Sequence, residues 1–330
     1  MLKTYLLLVV FFLQPSLFLK AQTETKYAFD KPGNWSFSNR ISLSGSDPAF
    51  LKNLEGVAVW FRQKIPMMNN PKGFDLAASI YNCGSNNYEK RPCNYGIPGN
   101  LYFEFQLFFD EKHGGGKWKI EPPAFSFYVN NTETGHGTNG NYNGYDYREE
   151  AASLEMPINK ATGNLNDLFL VFPLVKEFAP GVRLYGDGNL IVFNPDRSDF
   201  WIPVTVRQVA EMKLEYFNLK KDMLLPYLKK EMDKLSVEEL NAPAYDGNAK
   251  LFVLNVNGKK EGLQIMRFNP EYWDRSLPRS AIQYMTLWYP QLSEGETEEY
   301  YKNNLHPNYG QLVMNSIRLE DLAGLIEQKK

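Results

Sequence analysis

The sequence predicts an α+β protein built from mainly antiparallel sheets, each packed by one or two helices. Three observations lead there. Among 330 residues, 22 Phe, 20 Tyr and 6 Trp give an aromatic share of 15%, which suits the pleated, half-buried surface of a sheet. The 24 Gly and 20 Pro punctuate the chain into short segments, as strands joined by tight turns require. Helical repeats occur between the strands, but without the regular strand-helix-strand rhythm and Gly-rich crossovers of a doubly wound parallel sheet. With 43% hydrophobic and 22% charged residues the chain can bury a sizeable core.

Residues 1–21 read as a secretory signal peptide. Lys3 precedes an unbroken apolar run over 5–12, and Gln14, Pro15 and Lys20 interrupt the segment before it reaches membrane-spanning length. Cleavage after Ala21 or Gln22 leaves a mature chain with no expected transmembrane segment. Losing Lys3 and Lys20 lowers Lys+Arg from 36 by two against 38 Asp+Glu, a formal net charge of −4. Nucleic-acid binding rests on clustered cations. The densest basic stretch, around Lys220, Lys221, Lys229, Lys230 and Lys234, is interleaved with Asp222, Glu231 and Asp233 and reads as a solvated helix face.

The rest of the chain divides into an expected N-terminal domain over 22–147 and a C-terminal domain over 148–330. A strand is expected at 35–43. Asp47-Pro48 then supplies an N-cap and a proline for the first helical turn, and Leu51, Leu54, Ala58 and Phe61 give a helix over 48–63 with one apolar face. A strand over 74–81 precedes Cys83 and Cys93, and Leu101, Phe103, Phe105, Leu107 and Phe109 form the clearest period-two strand. The Gly114–Gly116 turn leads back into 118–120, and Phe125, Phe127 and Val129 mark another strand. Gly and Asn dominate 130–147, which sets the domain boundary. Beyond it come a strand at 168–172 and a hairpin pairing 183–185 with 190–193. A helix with Val209, Met212, Tyr216, Leu219 and Met223 on one stripe breaks at Pro226. A second hairpin is expected to pair 251–256 with 263–268 through Asn257-Gly258. A strand over 282–289 and a closing helix with Leu319, Leu322, Ala323 and Ile326 inward complete the chain. Phe193-Asn194-Pro195 recurs at an offset of 75 as Phe268-Asn269-Pro270, Pro203 matches Pro278 and Gln208 matches Gln283. This suggests internal duplication of a hairpin-plus-connector unit.

Chemistry is constrained by what is scarce. The two cysteines, Cys83 and Cys93, read in an exported chain as one disulfide that staples a loop by roughly 2–3 kcal/mol. Histidine-dependent catalysis has only His113, His136 and His306 to draw on. Gly135-His136-Gly137-Thr138 resembles the histidine motif of subtilisin-like serine proteases, but no Gly-Thr-Ser nucleophile motif accompanies it. The sequence has no Gly-x-Ser-x-Gly elbow, zinc helix, P-loop or dinucleotide fingerprint, so no cofactor and no metal is expected. Asp146, Glu149 and Glu150 offer oxygen ligands without the spacing of a calcium loop.

The positive signal is aromatic and amide side chains in loops. Tyr88, Tyr95, Tyr142 and Tyr145 lie in Asn/Gly-rich segments, where an apolar ring with a polar tip suits a glycan, a peptide or an envelope protein. Trp201 and Trp273 join them as candidate binding residues, because Asp199, Glu271 and Asp274 beside them are where a carboxylate pair would sit in a glycosidase-like hydrolase. Ala21-Gln22, together with Asn194-Pro195-Asp196-Arg197 running into Trp201-Ile202-Pro203-Val204-Thr205-Val206, resembles uncharacterised exported proteins of Bacteroidota. The resemblance implies export, periplasmic or secreted, in a Gram-negative bacterium, and it carries no activity. The function expected from the residues is non-enzymatic binding by an exported protein, with the carboxylate-pair hydrolase as the alternative.

Overall fold

The computed structural model describes residues 26–39, 47–82, 95–131, 138–141, 168–246 and 256–327. The expected signal peptide, Cys83, Cys93, Tyr88, His136, Tyr142, Tyr145 and the acids at 146–150 lie outside the described residues. Among those described, no helix is long and apolar enough to cross a membrane.

The molecule is an α+β protein with two sheets. Strand β1 (Trp35–Asn39) leads through helix α1 (Pro48–Lys64) into β2 (Phe74–Asn82), and the short helix α2 (Pro66–Asn69) lies between them. β1 and β2 pair in parallel, as a strand-helix-strand crossover dictates. Asp47 caps α1 as expected, its carboxylate accepting from the N–H of Ala49 at 2.8 Å and Phe50 at 3.0 Å. Burying Phe50, Leu54, Val57, Ala58 and Phe61 then holds the helix on the sheet. The Phe61 ring lies 5.2 Å from Phe127 and 6.0 Å from Phe103.

β3 (Gly99–Leu107) alternates without a break, burying Leu101, Phe103, Phe105 and Leu107. It ends two residues earlier than its pattern suggests, because Phe108 and Phe109 make only isolated bridges, to Lys117 and Tyr27. Residues 118–120 form no strand after the turn. β4 (Ala124–Val129), β5 (Thr138–Asn141), β6 (Leu168–Val171), β7 (Leu174–Ala179), β8 (Val182–Tyr185) and β9 (Asn189–Phe193) follow. At the β7–β8 turn Gly181 has φ +81°, and a Cβ there would stand 2.2 Å from the Phe193 carbonyl oxygen, so only glycine fits.

After β10 (Trp201–Pro203), a reciprocal cap between Thr205 and Gln208 opens helix α3 (Val206–Lys220). The expected break at Pro226 comes earlier, because α3 stops at a left-handed Lys221, and Pro226 instead sits in the first turn of helix α4 (Leu225–Met232). Helix α5 (Val237–Asn241), β11 (Gln264–Phe268), β12 (Tyr284–Trp288), helix α6 (Glu294–Asn304), helix α7 (Tyr309–Asn315) and a 3-10 segment over Leu319–Leu325 complete the order. The expected closing helix is this 3-10 segment; it buries Leu319, Leu322 and Leu325.

The sheets have the orders β1-β2-β3-β4-β12-β9-β8-β7 and β10-β11-β6-β5. Two expectations change here. The large sheet takes strands from both sides of residue 147, with β12 inserted between β4 and β9, so its hydrogen bonding and core run through the proposed boundary. The 264–268 arm of the expected second hairpin pairs with β6 along one edge and with β10 and Tyr245 along the other. Its other arm, over 251–255, lies outside the described residues.

Strand alternation sorts the molecule into four layers. Val182, Leu184, Leu190, Val192, Met285 and Leu287 face the core shared with α1, α7 and Leu319–Leu325. Tyr185, Ile191, Phe193 and Tyr284 face the opposite way, toward Phe169, Val171, Trp201 and Phe268 of the small sheet. Leu168, Leu170 and Ile265 then cover the helical layer of α3, α4 and α5. The repeated Phe-Asn-Pro units end β9 and β11 in different sheets. Each Asn side chain accepts from the N–H two residues on, at 2.9 and 3.0 Å. Beyond the turns the environments diverge: Gln208 is an exposed cap, whereas Gln283 is fully buried.

Lys213, on α3, is 2% exposed. Burial pushes its ammonium down to about 8, against an opposing pull from Glu231. The unfolded chain therefore binds more protons between about pH 8 and 10.5, and stability rises with pH across that window. Lys213→Met is expected to raise unfolding free energy near neutral pH by up to about 3 kcal/mol and to abolish the gain above about pH 8. Thermal melts of both proteins from neutral pH to just below tyrosine ionisation check this.

Candidate functional site

Where the two sheets face each other, their side chains form an aromatic layer. Phe193 and Phe200 ring centroids are 4.8 Å apart, Phe169 and Trp201 are 5.3 Å apart, and Tyr284 meets Phe268 edge-on at 5.4 Å. Such geometry adds about 0.5–1.5 kcal/mol per pair beyond area burial. Toward β8 the layer opens into a cavity of about 490 Å³, within the size range of small-molecule sites.

Five chain segments build it. The end of β6 and the start of β7 contribute Val171, Phe172, Pro173 and Leu174. From β8, Arg183 and Tyr185 enter on the same face, two residues apart as strand geometry requires. Asp199, Phe200 and Trp201 lead into β10, while Tyr245, Lys260, Leu263, Gln264 and Met266 close the far side. The interior is apolar and aromatic, and the polar groups gather at the β8 wall and the 260–264 segment.

The Arg183 guanidinium lies over the Phe193 ring, 4.6 Å from its centroid. Its Nε donates to Glu177 at 3.3 Å and its Nη1 to Asp199 at 3.4 Å. Partial burial works against the charge, but Glu177, Tyr185 and Asp199 more than offset it and hold the pKa above the ordinary guanidinium value. Burial pushes the Tyr185 phenol up to about 12, with Arg183 opposing, so it remains a neutral hydroxyl at physiological pH. The described lining carries one carboxylate, Asp199, and no Ser, Cys or His. It offers apolar contact, hydrogen bonding and charge.

The sequence-predicted residues separate in space. Trp201 and Asp199 line the cavity. Trp273 is buried away from it, stacked on Phe268 at 5.8 Å. Tyr95 clamps the 269–283 connector: its hydroxyl donates to the carbonyls of Arg275 and Leu277, each at 3.2 Å, and its carbonyl accepts from Arg279. Asp274 caps a local turn through Ser276 and reaches Arg197, while Glu271 is exposed. His113 is tied to Asp110 at 2.6 Å in the turn after β3. His306 is buried among Tyr27, Trp118, Tyr300 and Tyr309, and burial pushes its pKa below the ordinary imidazole value, the mark of a core histidine. Among the described residues no group of three or more His, Cys, Asp or Glu side chains could hold a metal.

Sequence reasoning missed Arg183, Tyr185, Tyr245 and Lys260. The available signal was Arg183 itself, a charged residue two positions from Tyr185 on an otherwise apolar strand. No family model, curated protein or solved structure matches this chain.

Proposed function

We propose that this is an exported, non-enzymatic binding protein whose ligand, a small molecule or the end of a peptide or glycan, enters the cavity between the sheets and rests on Trp201. The observation that carries the reading is the cavity itself: about 490 Å³ of aromatic-lined space with Arg183, Tyr185, Tyr245 and Gln264 converging on it. Among the described lining residues one carboxylate, Asp199, is present and is engaged by Arg183, which supports binding over a paired-acid hydrolysis needing two carboxyl groups facing one bond. Export is supported by the pattern of residues 1–21. The mature chain is expected in the envelope or medium with its N-terminus after Ala21 or Gln22, which intact-mass measurement of the fractionated protein checks.

Thermal-shift screening against small-molecule, glycan and short-peptide panels, alongside pull-down from envelope extract, tests the binding site. Stabilising hits are expected with the wild type. They should weaken when Met266→Trp fills the cavity floor, and also when Leu174→Trp narrows its half-exposed mouth, a surface change that spares the fold. Hits that stabilise all three proteins equally, or an absence of hits, would contradict the reading.

A further inference from the structure

We propose that the cavity selects a ligand with a flat apolar body and a carboxylate, the body resting on the Trp201 side and the carboxylate taken by Arg183 with Lys260 nearby. The inference deepens the binding reading and rests on it. Charge comes first. The described lining holds two cations, Arg183 and Lys260, against Asp199, and Glu177 beside the lining also touches Arg183, so the attraction for an anion is local, at Arg183 and Lys260, and grows when Asp199 is displaced.

Geometry comes second. The guanidinium lies over the Phe193 ring, and a group held in place by such a contact loses less entropy when a planar partner docks. Two internal acids touch it, and both contacts are long. At 3.3 and 3.4 Å they exceed the roughly 2.7–2.9 Å of a well-formed charge-assisted bond. The Tyr185 hydroxyl on the same strand face also hydrogen-bonds the guanidinium. Asp199 is 74% exposed at its side chain, and such surface pairs are worth only about 0–1 kcal/mol. A ligand carboxylate can therefore displace Asp199 from the guanidinium. Tyr185, on the same strand face, adds a neutral hydroxyl donor to the same wall.

The body of the ligand follows from the remaining walls. Phe172 and Trp201 border the cavity in front of the fully buried Phe200, and aromatic contacts favour flat over branched apolar groups. An aromatic or arylalkyl carboxylic acid satisfies both requirements.

Matched acid and amide pairs test this: indole-3-acetate with indole-3-acetamide, and hydrocinnamate with hydrocinnamamide, titrated calorimetrically into the mature chain. The acids are expected to bind about tenfold or more tighter than the amides, with the gap shrinking between roughly 20 and 200 mM salt. Arg183→Gln should erase the gap while leaving amide binding in place, and Lys260→Gln, an exposed change that spares the fold, should reduce it. Acids and amides that bind equally, both lost in Met266→Trp, would overturn carboxylate selection while the cavity stood as the site. Failure of both kinds of probe would overturn the proposed ligand class, with the cavity judged by its own screen. An acid preference that survives Arg183→Gln would overturn the assignment of Arg183.

Discussion

Asn130→Ala is expected to destabilise the whole protein by about 4 kcal/mol or more. Asn130 is fully buried at the end of β4 and has φ +50°. Its amide accepts from the N–H of Gln283 at 2.9 Å and Tyr284 at 3.3 Å, and donates to the carbonyls of Ile97 at 3.1 Å and Ala281 at 2.9 Å. One side chain thus satisfies four backbone groups from two distant parts of the chain. Alanine leaves them buried without it, at about 1–3 kcal/mol for each that finds no water, and also carries the left-handed backbone cost of about 1–2 kcal/mol. Gly96 packs directly against this amide: a Cβ there would stand 2.6 Å from the Asn130 side chain. Asn130→Gly removes only the backbone strain and should recover about 1–2 kcal/mol of the loss. Urea unfolding with far-UV and tryptophan probes checks both variants. A loss below about 1 kcal/mol, or melting of one half alone, would contradict the view that residues 22–147 and 148–327 share one fold.

Arg197→Met is expected to cost about 3–5 kcal/mol, and Arg197→Met/Glu327→Met far less. The Arg197 and Glu327 side chains are 12% and 11% exposed and pair at 2.6 Å. Asn194 donates to the second Glu327 oxygen at 2.7 Å, and Arg197 donates to the Tyr272 carbonyl at 3.1 Å and to the Gln283 side chain. Its guanidinium lies 5.6 Å from the Tyr272 ring centroid. Removing the cation alone strands a desolvated carboxylate, whereas replacing both charges leaves an apolar contact, so the double variant should be the more stable of the two. A double variant as unstable as the single would show that packing around Tyr272, and not the orphaned charge, carries the cost.

Local pattern made part of this architecture legible. The alternation of Leu101, Phe103, Phe105 and Leu107 maps directly onto burial, and Asp47-Pro48 onto the start of α1. What stayed hidden was pairing. The 264–268 segment looks like half of a hairpin because Asn257-Gly258 is a strong turn signal, yet its partners come from residues 168–171 and 201–203. No local rule encodes a pairing across so many residues. β7 was illegible for another reason: as an edge strand it exposes Leu174, Val175, Lys176 and Glu177 in succession and has no period of two. The cavity draws Arg183, Asp199, Tyr245 and the 260–264 segment from separate parts of the chain, so only Trp201 and Asp199, two positions apart, stood out along the chain.

A crystal structure of the mature chain with the tightest ligand from the acid series tests the central claim most directly. The account predicts ordered density between β8 and the small sheet, with the ring on the Trp201 side and the carboxylate against Arg183. Ligand density elsewhere on the molecule, with the cavity holding only solvent, would contradict it.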